Sequence, residues 1–271
     1  MCLAGPRSEK LESLTIRCPL VNIDPACLEH FFQSARLLRR VCLKSLSSYG
    51  DELLSILCNL ETLQDLDLGN HIRSEQVSSY LDHYLRSRPF RHVHTLSLKG
   101  DAQALIKLLS SRNITNLSLE VCDPERSFYT AVGEMVQLAS LDIMFPPAEI
   151  IDQDSLDRLR ALRHLRRLNL SKSETDDVSG DMLQLSWMTD ELAERFFASF
   201  PRLEQLYLDW DVNNQLSQNA LDALARSCTS LRSVILMWQH DLESWRRLRQ
   251  RLFPNLNFLG LGSVCDFASS R

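Results

Sequence analysis

The chain has 271 residues, of which 44% are hydrophobic and 24% charged, and a net charge of −5. That balance belongs to a folding chain rather than a disordered one. It argues against nucleic acid as the main ligand, because phosphate binding needs a basic excess or a clear basic stripe. Along the chain one pattern, Leu-x-x-Leu-x-Leu, returns about ten times with helical spacing in between. It starts as LESLTI at Leu11, after which Asp24-Pro25 opens a helix: Asp is a good N-cap and Pro is favoured at the first helical position. LRRVCL at Leu38 leads to a helix over Gly50–Leu60, and LQDLDL at Leu63 to one over Glu75–Arg86. VHTLSL at Val93 precedes a helix over Ala102–Ser110, and ITNLSL at Ile114 one over Glu125–Val136.

The second half continues the alternation. LASLDI at Leu138 is followed by a helix over Asp154–Leu162, and LRRLNL at Leu165 by the longest insertion, Ser171 to Met188. A helix over Glu191–Ser199 leads into LEQLYL at Leu203, one over Gln218–Arg226 into LRSVIL at Leu231, and one over Glu243–Leu252 into LNFLGL at Leu256. The residue ahead of a proline disfavours helix, so Phe200-Pro201 and Phe253-Pro254 each close a helix before a strand. Strand side chains alternate between faces: Leu66 and Leu68 point inward together while Asp65 and Asp67 point out. A period of roughly 21–38 residues marks a solenoid in which each unit buries its apolar edge on the next. The expectation is one α/β domain over residues 1–271: a horseshoe with a concave parallel sheet, convex helices and an insertion at about 171–188 in the seventh repeat.

These repeated leucines resemble the leucine-rich repeat superfamily, in its ribonuclease-inhibitor-like branch, from Leu11 to Leu261. Closing units such as FPRLEQLYL and FPNLNFLGL look like the repeat regions of fungal and other eukaryotic F-box proteins. The asparagine that usually follows the strand is replaced by His71, Asp101, Cys122, Pro146, Asp211 and Gln239, so the loops are expected to satisfy their backbone groups in other ways. The resemblance implies protein binding, with recognition of substrates for a cullin-type ubiquitin ligase as one form and ligase subunits as partners. Only about ten residues precede the first repeat, too few for a separate docking module. The chain is therefore expected either to be a fragment of a larger repeat protein or to work through its repeats alone.

A search for chemistry finds no G-x-S-x-G, no H-E-x-x-H and no phosphate-binding loop. Gly260-Leu-Gly262-Ser263 lacks the third glycine of a dinucleotide loop and reads as a final strand and turn. Asp152, Asp154 and Asp157 hint at a calcium loop but lack its glycine and terminal glutamate, so they are read as capping a helix. His92 and His94 have no third ligand beside them. The basic stretches Arg158 to Arg167 and Arg246 to Arg251 alternate with leucines and read as solvated helix faces. No enzyme activity, metal or cofactor is expected. The eight cysteines show no C-x-x-C pair or zinc spacing, the N-terminus shows no apolar leader, and no apolar run approaches the roughly 18 residues of a membrane span. Cytoplasm or nucleus is the expected location, with no membrane partner.

Outward strand positions in the early and middle repeats are small, polar or charged, among them Asp142, Arg167 and Asn169. The last three repeats turn apolar, with Tyr207, Ile235 and Phe258 expected close together on one face and Met237 as a further apolar anchor. Trp210 and Trp238 recur just past two strand ends and are expected as rim neighbours, with Asp209 and Asp211 offering acid to a basic partner. Two readings stay open for the insertion: a binding loop, or a lid that folds over the tryptophans and seals them. The functional expectation is a non-enzymatic module that binds a protein partner through these residues. Regulation of an enzyme, as by GTPase-activating or inhibitor-type repeat proteins, is the alternative, alongside a purely structural fragment.

Overall fold

The structure is a computed structural model that describes residues 10–17, 25–44, 51–78, 89–109, 113–146, 149–173, 183–212, 216–237, 240–241, 253–261 and 264–265. Its residues group into two compact units, Met1–Ala131 and Val132–Arg271. In the first, five strands pair in parallel in chain order: β1 (Ser13–Ile16), β2 (Arg40–Leu43), β3 (Asp65–Ile72), β4 (Thr95–Asp101) and β5 (Asn116–Cys122). In the second, β6 (Ser140–Phe145), β7 (Arg167–Lys172), β9 (Gln205–Leu208), β11 (Ser233–Leu236) and β13 (Phe258–Leu261) do the same, beside the two-residue strands β8 (Leu183–Gln184), β10 (Trp210–Asp211), β12 (His240–Asp241) and β14 (Val264–Cys265). Helices connect the strands: Pro25–Ser34, Asp51–Asn59 and Ala102–Leu108 in the first unit, Gln153–Leu159, Asp190–Phe197 and Gln218–Ser227 in the second. Residues 74–78 are also helical, and the helix Arg126–Gly133 runs across the division between the units. The expected helix over 243–252 lies outside the described residues.

Register explains why the leucines recur. In the first unit Leu14, Val41, Leu66, Leu96 and Leu117 lie side by side, and Ile16, Leu43, Leu68, Leu98 and Leu119 form the next row. In the second, the rows are Leu141, Leu168, Leu206, Val234, Leu259 and Ile143, Leu170, Leu208, Leu236, Leu261. Residues of the interior strands in these rows are buried, while Leu14, Ile16, Leu259 and Leu261 are only half-buried on the end strands. Each fully buried aliphatic side chain contributes about 1.5–3 kcal/mol relative to exposure, so the repeated rows supply most of the drive to stack.

The leading leucine of each motif closes the turn into the strand. Leu203 N–H, for example, donates to the Phe200 carbonyl at 3.2 Å, with Leu203 fully buried. Just after it, one carbonyl of each turn takes two N–H groups from the next repeat. Gln205 and Glu204 both donate to Arg166 O, and Ser233 and Arg232 both donate to Glu204 O, at 2.7–3.1 Å. These shared acceptors satisfy backbone groups where no sheet ladder exists. Past the strands, side chains take over the role that asparagine would have. Asp101 accepts from the Ser74 N–H at 3.1 Å and from His71 Nε2 at 2.7 Å.

Candidate protein-interaction face

The outward face of the second unit was expected to carry the site, and the register arranges its residues in two rows. One row runs Asn169, Tyr207, Ile235, Gly260; the other runs Arg167, Gln205, Ser233, Phe258. Tyr207 and Ile235 are therefore direct neighbours across the sheet, both half-exposed. Gly260 next to them has no side chain, and a Cβ there would lie 3.1 Å from Ile235 Cγ1, so Ile235 leans over the glycine backbone. Phe258, 53% exposed, sits diagonally from Ile235 rather than in its row. A shallow depression of about 160 Å3 opens here, lined by Arg167, Asn169, Gln205, Tyr207, Ser233 and Ile235. Met237, half-buried, follows at the strand end, its N–H donating to Leu208 O at 3.0 Å.

Beside this apolar pair lies a polar group that sequence reading placed outward but did not select. Asn169 donates from Nδ2 to Asp142 Oδ1 at 2.8 Å, and Arg167 Nη2 stands 3.9 Å from Asp142 Oδ2. Burial pushes the Asp142 carboxyl above the usual carboxylate range, and Arg167 and Asn169 pull it back. The available signal was the register itself. The middle positions of LASLDI and LRRLNL face the same way on adjacent strands, so an acid and an amide there must meet.

Two site expectations are corrected. Trp210 does not line an exposed rim: it is fully buried, its ring 5.7 Å from that of Phe196. The cause is the insertion, whose residues Leu183–Gln184 (β8) pair in parallel with Trp210–Asp211 (β10). Leu183 N–H donates to Asp209 O, Leu185 N–H to Asp211 O, and Trp187 Nε1 to Ile151 O at 2.6 Å. Leu183, Leu185 and Met188 are buried, so this part of the insertion acts as the seal. Asp209 is likewise not offered to a partner. It is 5% exposed, and burial pushes its carboxyl above the usual range while the Lys172 backbone N–H and charge hold it down. Phe258 stays on the face of Tyr207 and Ile235, one row over and diagonal to Ile235. Asp211 is half-exposed, and Trp238 lies outside the described residues.

The other candidates take structural roles. Asp152 caps the helix Gln153–Leu159, accepting from Ser155 N–H at 2.8 Å, and Asp157 pairs with Arg160 at 2.9 Å. Arg166 reaches Glu204 at 3.5 Å, so the first basic stretch meets acids of its own unit. The second, Arg246 to Arg251, lies outside the described residues. Among the described residues no helix is long and apolar enough to cross a membrane.

No family model and no curated protein sequence matches the chain. Solved structures do. An internalin from Listeria monocytogenes aligns at 18% identity over 87% of this chain, with TM-score 0.47, and this chain spans 65% of the internalin. LegL7, a leucine-rich repeat-containing protein from Legionella pneumophila, aligns at 14% identity over 95% of this chain and 86% of its own, with TM-score 0.48. A chain of the yeast Rad7 and Elc1 complex aligns at 15% identity over 96% of this chain and 78% of its own, with TM-score 0.50. The parallel strands, buried leucine rows and intervening helices agree with that last likeness: the chain has the α/β leucine-rich repeat fold.

Proposed function

We propose that this chain is a non-enzymatic protein-interaction module that binds its partner on the outward sheet face of the second unit. The observation that carries this reading is the half-exposed pair Tyr207–Ile235 with Phe258, 53% exposed, diagonal to it. Aromatic and aliphatic side chains grouped on a sheet face, with polar groups around them, make the anchor-and-rim pattern of an interface. Asn169, Gln205 and Ser233 supply that polar surround. The partner is a protein with an apolar projection small enough for a shallow depression. Recognition of substrates for a cullin-type ubiquitin ligase is the finer reading. It draws on the F-box resemblance and on the likeness to a yeast protein solved in complex with a second chain. A reducing compartment, cytoplasm or nucleus, suits the free thiols at Cys27, Cys42, Cys58, Cys122 and Cys228.

The test is affinity capture with the intact chain, compared with a Tyr207→Ala/Phe258→Ala variant whose circular dichroism spectrum and melting temperature match the parent. Partners captured by the parent should fall by about tenfold or more, since each truncated anchor costs about 1–2 kcal/mol of binding. Equal recovery with both chains refutes the face. Ligase subunits among the lost partners would support the finer reading, and their lack would leave a plain binding module.

A further inference from the structure

In the first unit three side chains at the C-terminal ends of neighbouring strands form an ordered relay. His71 Nε2 lies 2.7 Å from Asp101 Oδ1, and Cys122 Sγ lies 3.7 Å from His71 Nδ1. Asp101 and Cys122 are register partners on β4 and β5, while His71 reaches them from β3 through an irregularity. Between Leu68 and His71 the pairing of β3 with β4 slips, so that His71 faces Lys99 and Ile72 faces Gly100. Slips of this kind re-aim a side chain. The slip also brings backbones together: a Cβ at Gly100 would lie 2.3 Å from Ile72 O, which only glycine allows. Just after Cys122, Asp123 takes a positive φ of 52°, in the left-handed region that Asp tolerates better than most residues.

A carboxylate can only accept, so the contact with Asp101 places a hydrogen on Nε2, and the tautomer this selects offers the Nδ1 lone pair to the thiol. Asp101 is held in turn by the Ser74 N–H at 3.1 Å, so the orienting carboxylate is itself anchored. Nucleophile, base and orienting group in that order, within reach of one another, form the arrangement that activates a weak nucleophile. None of the three is sealed off: Cys122 is half-exposed, and the side chains of His71 and Asp101 are 34% and 38% exposed.

We propose that Cys122 is a nucleophilic thiol, with His71 as its general base and Asp101 as the residue that positions the imidazole, and that it takes small carbon electrophiles carrying a leaving group. In the step, the S–C bond forms as the bond to the leaving group breaks. The thiol proton passes to His71 Nδ1, and the leaving group departs with the electron pair. The thiol needs this help. Burial pushes it above its ordinary range, with Glu120, Asp101 and Asp123 adding to the effect and Lys99 opposing it. It therefore rests as the neutral thiol rather than as thiolate. Lys99 is paired with Glu120 at 2.5 Å, which leaves His71 as the group placed to accept the proton.

The probe is iodoacetamide on the full chain, with labelling at each cysteine followed by peptide mass spectrometry between pH 5.5 and 9.5. Cys42 is the internal reference, because its thiol bonds the Asp67 carboxylate at 3.4 Å and, among the described residues, no imidazole bonds it. At neutral pH the labelling rate of Cys122 should drop by about tenfold or more in His71→Gln, with Cys42 unchanged. The pH profile of Cys122 labelling should change shape in His71→Gln, while Asp101→Asn should lower the neutral-pH rate and keep the parent's profile. Equal rates and profiles in the parent and His71→Gln, or an unlabelled Cys122 beside a reactive Cys42, would each overturn the proposal.

Discussion

At the scale of single residues, the buried positions of the second unit separate stability from binding. Among the described residues Trp210 is the largest fully buried side chain, and it packs against Phe196, which in turn meets Phe200 at 4.9 Å. Trp210→Ala would open a cavity lined by these rings, costing about 3–5 kcal/mol. Urea denaturation should show that loss in full, and a change under 1 kcal/mol would show that the ring is not core. Asp209 tests burial through pH. Its folded pKa is raised, so the folded state holds the proton more tightly than the unfolded chain does. Its stabilising share is complete below the unfolded value of about 4 and is lost as pH rises through the folded value. Asp209→Asn keeps the acceptor for Lys172 N–H without ionising. It should therefore melt higher than the parent at pH 7, with the gap closing towards pH 4. A gap of equal size at both pH values would contradict the burial argument.

Elements carry a different part of the reasoning. The helix Gln153–Leu159 is two turns long, so its first turn matters more than its propensity. Asp152 takes the Ser155 N–H and hydroxyl at 2.8 and 2.9 Å, and Asp154 adds charge at the positive end. Asp152→Ala is expected to cost about 1 kcal/mol, seen in chemical denaturation and as faster amide exchange over residues 153–159. Unchanged exchange there would remove the cap from the account. The insertion shows how an element can defeat linear reading. Its apolar residues Leu183 and Leu185 looked equally suited to a partner and to the chain's own core. The pairing of β8 with β10 decides for the core, because it satisfies backbone groups that a mobile loop would leave to water. Helix starts were legible where capping chemistry marks them. Asp24-Pro25 and the acids Asp152 and Asp154 act within one turn, and the helices begin at Pro25 and Gln153.

For the molecule as a whole, charge is the property that sums. The net charge is −5, and several of the described cations face acids, as in Lys44–Asp67, Lys99–Glu120 and Arg166–Glu204. Exposed pairs like these add little stability, about 0–1 kcal/mol each, and the acidic excess opposes phosphate binding. Filter binding at physiological salt should therefore retain neither duplex DNA nor single-stranded RNA. Retention that falls steeply with added salt would mean that a basic surface operates after all.

The sequence by itself determined the repeat, the strand faces and the helix ends, because alternation along a strand and capping within a turn are short-range effects. The rows Leu66–Leu96–Leu117 and Leu168–Leu206–Val234 could be written down from the motif alone, since equivalent positions of a stacked repeat must meet. The tertiary structure decided which polar and aromatic residues face outward. Trp210 and Asp209 turned inward because an insertion about 25 residues earlier added a strand over them. His71, Asp101 and Cys122 stood in the motif only as substitutes for asparagine, and a slip in one strand pairing brought them into contact. Such contacts depend on backbone offsets of one or two residues between distant segments, and no local pattern records those.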